Sequence, residues 1–201
     1  MSKKMSLAST GSGIRQTQGF TLIETVIILS VVAILTAILV PLITQNIQSA
    51  RVARAGADVA TIGKAMVQFR QDTGKWPVSD GVNNMKLLYS DSDASAGIPS
   101  TWNTIAAADR LGLSYHLIHY NTTVQRGPSA NGLPSWNGPY LSQASADPWG
   151  NAYLVDSEGL WPGNTGIVFV ISAGPGRPAS IETPIGGVPP SGSDDIGFRI
   201  Q

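Results

Sequence analysis

The chain has 201 residues, 13 Lys+Arg against 13 Asp+Glu, and a formal net charge of zero. That is room for one domain of moderate size or a small domain with an appendage, and with charged residues at only 13% there is no basic excess of the kind a dedicated nucleic-acid binder needs. The lack of cysteine rules out disulfide staples, thiol catalysis and cysteine zinc sites, and two histidines, His116 and His119, leave most His-based hydrolase schemes short of parts.

The composition is split. Residues 1–73 hold one proline (Pro41), five glycines and no tryptophan; residues 74–201 hold the other twelve prolines, seventeen glycines and all five tryptophans. The split predicts a long helical piece joined near Gly74 to a turn-rich globular piece.

Residues 1–19, MSKKMSLASTGSGIRQTQG, are polar and carry Lys3, Lys4 and Arg15 with no acid. They read as a leader that the positive-inside bias keeps in the cytoplasm. Residues 20–43, FTLIETVIILSVVAILTAILVPLI, contain one charge, Glu24, in 24 residues. At ~1.5 Å per residue the run spans about 36 Å, enough for a hydrocarbon core of ~30 Å. It is too long for the apolar region of a cleaved secretory signal. A plain anchor helix does not explain Glu24, which lies one turn inside the run, where a carboxylate usually marks a function with a partner. If the chain is cut after Gly19, Phe20 gains a free amine. Between stacked, axially shifted helices, the amine of one subunit meets Glu24 of the next and both charges are neutralised.

Gly19-Phe20-Thr21-Leu22-Ile23-Glu24, followed by an apolar stretch with Pro41, closely resembles the prepilin-type cleavage and methylation signal of type IV pilins and type II secretion pseudopilins. The resemblance implies that a membrane prepilin peptidase cuts after Gly19, that Phe20 becomes the N-methylated first residue, and that Glu24 is the assembly acid. Pro41 falls where the family's helix often carries its kink.

Beyond Pro41, apolar or small residues recur at Val52, Ala55, Val59, Ile62, Met66 and Phe69. Steps of three and four predict an amphipathic helix over residues 44–73 with one apolar stripe, packed on the sheet of the globular part. Gly74 and Trp76-Pro77 stop it. Residues 82–90 suggest a short helix, 91–104 a loop, 105–120 a helix interrupted at Gly112, and 121–137 an exposed loop. Strand candidates are 151–155, 166–172 and 196–200, with Val168-Phe169-Val170-Ile171 a central strand. The order predicts an α+β fold with a small antiparallel sheet.

Trp136-Asn137-Gly138-Pro139-Tyr140-Leu141, Asp147-Pro148-Trp149-Gly150-Asn151-Ala152-Tyr153 and Gly74-Lys75-Trp76-Pro77 resemble stretches of the major pseudopilins, which implies the type IV pilin-like fold: a long N-terminal helix on a small antiparallel sheet. These stretches read as structure. Asp147 caps a turn, Pro148 sets its φ, Trp149 buries a large face, and Gly150-Asn151 lead into the next strand.

The resemblance also implies a Ca²⁺ site in the C-terminal loop, with Asp194 and Asp195 in the family's acidic-pair region, since Ca²⁺ takes hard oxygen ligands on flexible loops. Pro175 stands where the family commonly has an acid, and Glu182 is a nearby substitute. The competing reading is a solvated acidic turn. His116 and His119 lack further ligands for zinc and read as amphipathic surface histidines. Asp91-Ser92-Asp93 lacks the rest of an EF-hand loop, and no G-x-S-x-G or H-E-x-x-H occurs, so no catalytic residue is expected.

The resulting expectation is a structural subunit and not an enzyme: a cytoplasmic leader (1–19), a transmembrane and assembly helix (20–43), its amphipathic extension (44–73) and a periplasmic globular domain (74–201). Its place is the bacterial inner membrane, then a periplasmic filament. Its partners are further copies of itself in a helical homopolymer, the prepilin peptidase, the inner-membrane assembly platform, minor pseudopilins and membrane lipid, with no nucleic acid. The alternatives are a type IV pilin in a surface fibre for adhesion, motility or DNA uptake, and a single-span periplasmic binding protein.

Overall fold

The long apolar pattern becomes one α-helix, α1, over Leu22–Thr73. The computed structural model describes residues 19–90, 98, 102, 104–119, 135–175, 181, 183, 186–190 and 193–201, and the chain divides into two compact units, Met1–Thr44 and Gln45–Gln201.

In the first unit every described residue is exposed. Leu22, Ile27, Leu29, Ile34, Ile38 and Leu39 among others present their side chains outward. The few hydroxyls do not interrupt this surface. Ser30 Oγ donates to the carbonyl of Val26 at 2.7 Å, Thr36 Oγ1 to Val32 at 2.8 Å and Thr44 Oγ1 to Val40 at 2.9 Å. These hydroxyls are thus satisfied by the helix backbone itself, which is what a helix in lipid requires. The helix is unbroken through Pro41.

In the second unit the outer stretch of α1 buries Ala55, Val59, Ile62, Gly63, Ala65, Met66 and Phe69. These positions carry the stripe read from the sequence, apart from Val52, which is 42% exposed. The helix stops where Gly74 takes a left-handed φ of 72° and its N–H returns to the carbonyl of Arg70 at 2.8 Å, a conformation that favours glycine.

Five short strands form one sheet in the order β2-β1-β3-β4-β5: β1 Leu87–Tyr89, β2 Arg110–Gly112, β3 Leu154–Asp156, β4 Phe169–Ser172 and β5 Ile196–Arg199. Three pairings are antiparallel, but β1 and β2 run parallel. The sheet is thus mostly antiparallel, as the sequence predicts, with the edge strand β2 as the parallel exception. The last three strands lie within the segments the sequence marked, save that β3 runs one residue further, to Asp156. The helix expected over 82–90 is absent. Asp80 Oδ1 accepts the N–H groups of Val82 and Asn83, closing a turn, and Leu87 and Leu88 then find ladder partners on both sides. The helix expected over 105–120 is broken into a 3-10 turn at Ala107–Asp109, strand β2, and a four-residue helix α2, Ser114–Leu117.

Alternation along the strands splits the core by face. Leu88, Val155 and Val170 join Val59, Ile62, Met66 and Phe69 of α1, while Leu87, Leu154 and Ile171 face Trp102, Ile105 and Ile181. Trp102, inside the segment read only as loop, is fully buried and donates its indole N–H to the carbonyl of Thr183 at 3.2 Å. Trp149, expected to supply the large buried face, is only half-buried. Its indole N–H points to Gln48 Oε1 at 3.4 Å, so the polar edge of the ring turns to α1.

Candidate functional site

The two candidate sites lie in different units. At the N-terminus, Gly19 and Phe20 precede α1, and Phe20 is 78% exposed. The helix then opens on a reciprocal cap. Thr21 N–H and Thr21 Oγ1 both donate to Glu24 Oε2 at 2.8 Å, and Glu24 N–H reaches back to Thr21 Oγ1 at 3.4 Å. This Thr-x-x-Glu capping box satisfies donors that the first turn leaves open. Glu24 therefore caps the helix of its own chain. The spacing that signals it was legible in the sequence, but the reading of Glu24 as an assembly acid passed over it.

At the other end of the chain, Asp194 is exposed and Asp195 half-buried. Thr183 N–H and Thr183 Oγ1 both donate to Asp195 Oδ2, at 2.8 and 2.6 Å. The second carboxylate oxygen, Asp195 Oδ1, is buried with no hydrogen-bond partner. A buried orphan carboxylate oxygen is costly and is a hard donor of the kind Ca²⁺ binds. Among the described residues no three acidic or histidine side chains gather, so backbone carbonyls have to complete such a site. To that extent the residues present fit a hard cation. Glu182, the proposed substitute for the missing acid at Pro175, and Asp91-Ser92-Asp93 lie outside the described residues.

Asp147 caps its turn as read. Its Oδ1 accepts the N–H groups of Trp149 at 3.0 Å and Asn151 at 2.8 Å, and Gly150 at φ 91° makes the reversal.

His116 is not a surface residue. It is 1% exposed, with its ring against the edges of Phe69 at 5.5 Å and Tyr115 at 5.0 Å. Burial holds its pKa down at about 4, against a hydrogen bond with the Ser79 backbone that pulls it up. The imidazole is a neutral core ring at pH 7. His119 is exposed, so the pair does not share a face.

An open cleft of about 350 Å³ is lined by Arg54, Asp58, Thr61, Tyr140, Ser145 and Tyr153 among others. Tyr153 donates its phenol proton to Asp58 Oδ2 at 2.9 Å, and Arg54 Nε stands 3.6 Å from the same oxygen. Burial, then Asp58, push the Tyr153 pKa up, so this phenol is a fixed hydrogen-bond donor and no acid–base group.

Residues 14–40, which include Gly19, Phe20 and Glu24, match the family described as the prokaryotic N-terminal methylation motif. The chain is similar to type II secretion system core protein G of Aeromonas hydrophila, with 24% identity over 86% of this chain and 92% of that protein. It is 24% identical to the Klebsiella pneumoniae protein of that name over 90% of this chain and 92% of the relative. With the Pseudomonas aeruginosa protein the identity is 26%, over 80% and 84%. No solved structure matches the chain significantly.

Proposed function

We propose that this chain, which carries the N-terminal methylation motif of the pilin superfamily and resembles type II secretion core protein G over most of its length, is the major structural subunit of a type II secretion pseudopilus. Its work is mechanical and not catalytic. The carrying observation is the surface of the first half of α1: every described residue over 19–54 is exposed, and 19 of the 24 over 20–43 are apolar. Such a surface is stable only against lipid or against like helices. One stretch therefore serves as membrane anchor in the waiting subunit and as filament core in the polymer.

In this reading prepilin peptidase removes residues 1–19 and Phe20 is N-methylated. Glu24 meets the Phe20 amine of a neighbouring copy during assembly. The subunit waits in the inner membrane with its globular unit in the periplasm, and the inner-membrane assembly platform and minor pseudopilins are its partners. Asp195, Asp194 and loop carbonyls would hold Ca²⁺, which supplies a divalent cross-link between the C-terminal loop and the end of the sheet.

The test is the mature N-terminus and the filament. Protein purified from membranes of cells with the peptidase should have lost roughly 2 kDa, the mass of a leader this long, and should begin with methylated Phe20. Gly19→Arg should abolish both that loss and filament formation. A native chain that keeps Met1, or a Gly19→Arg chain that still forms filaments, would overturn the reading.

A further inference from the structure

The turn at 147–151 needs only one of the two carboxylate oxygens of Asp147. Oδ1 takes both turn amides. Oδ2 leaves the turn and accepts the hydroxyl proton of Ser172, the last residue of β4, at 2.7 Å. Ser172 is 0% exposed and Asp147 only 5%, so the bond is shielded from water. With its proton committed to Asp147, Ser172 Oγ accepts the Gly174 N–H at 3.1 Å. Gly174 sits at φ 64° with the Asp194 carbonyl where a β-carbon would go. Ser172 also pairs with Ile196 in the β4–β5 register. The point where the C-terminal loop leaves the sheet and the point where it returns are thus held by one chain of contacts that begins at Asp147.

We propose that Asp147 is a positioning residue for the C-terminal loop, acting through the Ser172 hydroxyl on the Gly174 amide and so on the Asp194-Asp195 segment. A carboxylate makes the stronger, shorter kind of hydrogen bond, and a hydroxyl that donates to a carboxylate becomes a better acceptor for the next donor. The link ties the Asp-Pro-Trp-Gly-Asn turn, read from the sequence as turn chemistry only, to a loop that begins more than twenty residues later. Its consequence for Ca²⁺ rests on the cation reading above; its consequence for the loop backbone does not.

The test is amide hydrogen exchange on the full-length processed protein in detergent micelles, first in EDTA and then in millimolar Ca²⁺. Ser172→Ala removes the relay atom. Asp147→Asn keeps an Oδ1 acceptor for the turn and replaces the oxygen that Ser172 needs. Val170→Ala, in the same strand and fully buried, reports general destabilisation. In EDTA, both relay variants should exchange about tenfold faster at Gly174 and over 186–188 and 193–195, with the amides of β1 and β3 changed by less than half as much. Val170→Ala should instead accelerate the strands and the loop together. Loop exchange equal to wild type in both variants, or an increase spread over all strands as in Val170→Ala, would overturn the proposal. If Ser172→Ala does not fold, Asp147→Asn gives the same readout. The Ca²⁺ arm separates the two ideas. Wild-type exchange indifferent to Ca²⁺, but sensitive to the relay variants, keeps the relay and removes the cation. A protection by Ca²⁺ that is undiminished in both variants, with no change in EDTA, keeps the cation and removes the relay.

Discussion

Phe198 of β5 lays its ring on Gly63 of α1. A β-carbon built at Gly63 would stand 2.7 Å from Phe198 Cε1 and closer still to Cδ1, so the helix backbone itself is the contact surface. A helix-interior glycine costs about 1 kcal/mol against alanine. Here that cost is offset by letting the last strand approach the helix.

Gly63→Ala should therefore fail to stabilise the fold. The gain in helix propensity is set against ~1–3 kcal/mol of overpacking, so the net change should lie between neutral and about 2 kcal/mol destabilising. Phe198→Leu should lower stability alone but relieve Gly63→Ala, giving a favourable coupling in a double-mutant cycle. Denaturant melts of the full chain in detergent measure all four corners. A Gly63→Ala protein more stable than wild type by about 1 kcal/mol, as at an open helix position, would refute the contact.

Much of this architecture was legible because its signals are local. The apolar run, the 3-4 stripe from Ala55 to Phe69 and the stop at Gly74 each depend on a few neighbouring residues, and the helix follows them. The strands at 154–156, 169–172 and 196–199 announced themselves by β-prone runs. What was not legible depends on partners far along the chain. Leu87-Leu88 looks helical alone and becomes a strand because β2 and β3 flank it. Trp102 lies in a polar segment, and only the Thr183 carbonyl and the second sheet face explain its burial. His116 reads as a surface residue because it has no further zinc ligands near it in the sequence, whereas in the fold the rings of Phe69 and Tyr115 cover it. At the N-terminus the Thr21–Glu24 cap is written in the same six residues as the Gly19-Phe20 motif, and only the Thr-x-x-Glu spacing signals it.

His116 makes acid a specific stress. Its pKa falls from 6.5 to about 4 on folding because burial disfavours the charged ring. The unfolded chain then binds more protons between those values, so stability is complete above about pH 6.5 and is lost as pH falls towards 4. The full shift corresponds to a loss on the order of 3 kcal/mol. Burial raises the Asp156 carboxyl, and that group works in the opposite direction, losing its contribution as pH rises. Comparing wild type with His116→Phe isolates the histidine. The variant should lack the wild-type slope between pH 4 and 6.5 in denaturant melts. Parallel slopes for the two proteins would show that His116 is not neutral in the fold.

Tyr153 and Asp58 join β3's approach segment to α1 through one hydrogen bond of 2.9 Å. Tyr153→Phe removes the hydroxyl and leaves the ring in the core. Asp58 is partly exposed and can recover water, so the loss should be about 1 kcal/mol and not the full cost of a buried orphan. Asp58→Asn, which still accepts the phenol proton, should cost less than Asp58→Leu. Equal melting behaviour of wild type, Tyr153→Phe and Asp58→Leu would show that packing alone holds this edge of the sheet.

The cap that Glu24 places on Thr21 within the chain and the charge that the proposed assembly would have it offer to a neighbour can be separated by substitution. Glu24→Gln keeps an oxygen acceptor at the capping-box position and removes the charge. Glu24→Val removes both. Each variant should insert into the membrane at least as well as wild type, since a charge leaves the apolar run. Helix content at the N-terminus should survive in Glu24→Gln and fray in Glu24→Val. Filament yield from cells making only the variant then decides the matter. If the charge carries assembly, Glu24→Gln should fall as far as Glu24→Val, to a tenth or less of the wild-type yield. If the cap carries it, Glu24→Gln should assemble near the wild-type level while Glu24→Val does not. Wild-type yield from both variants would remove Glu24 from assembly altogether and leave it as a helix cap.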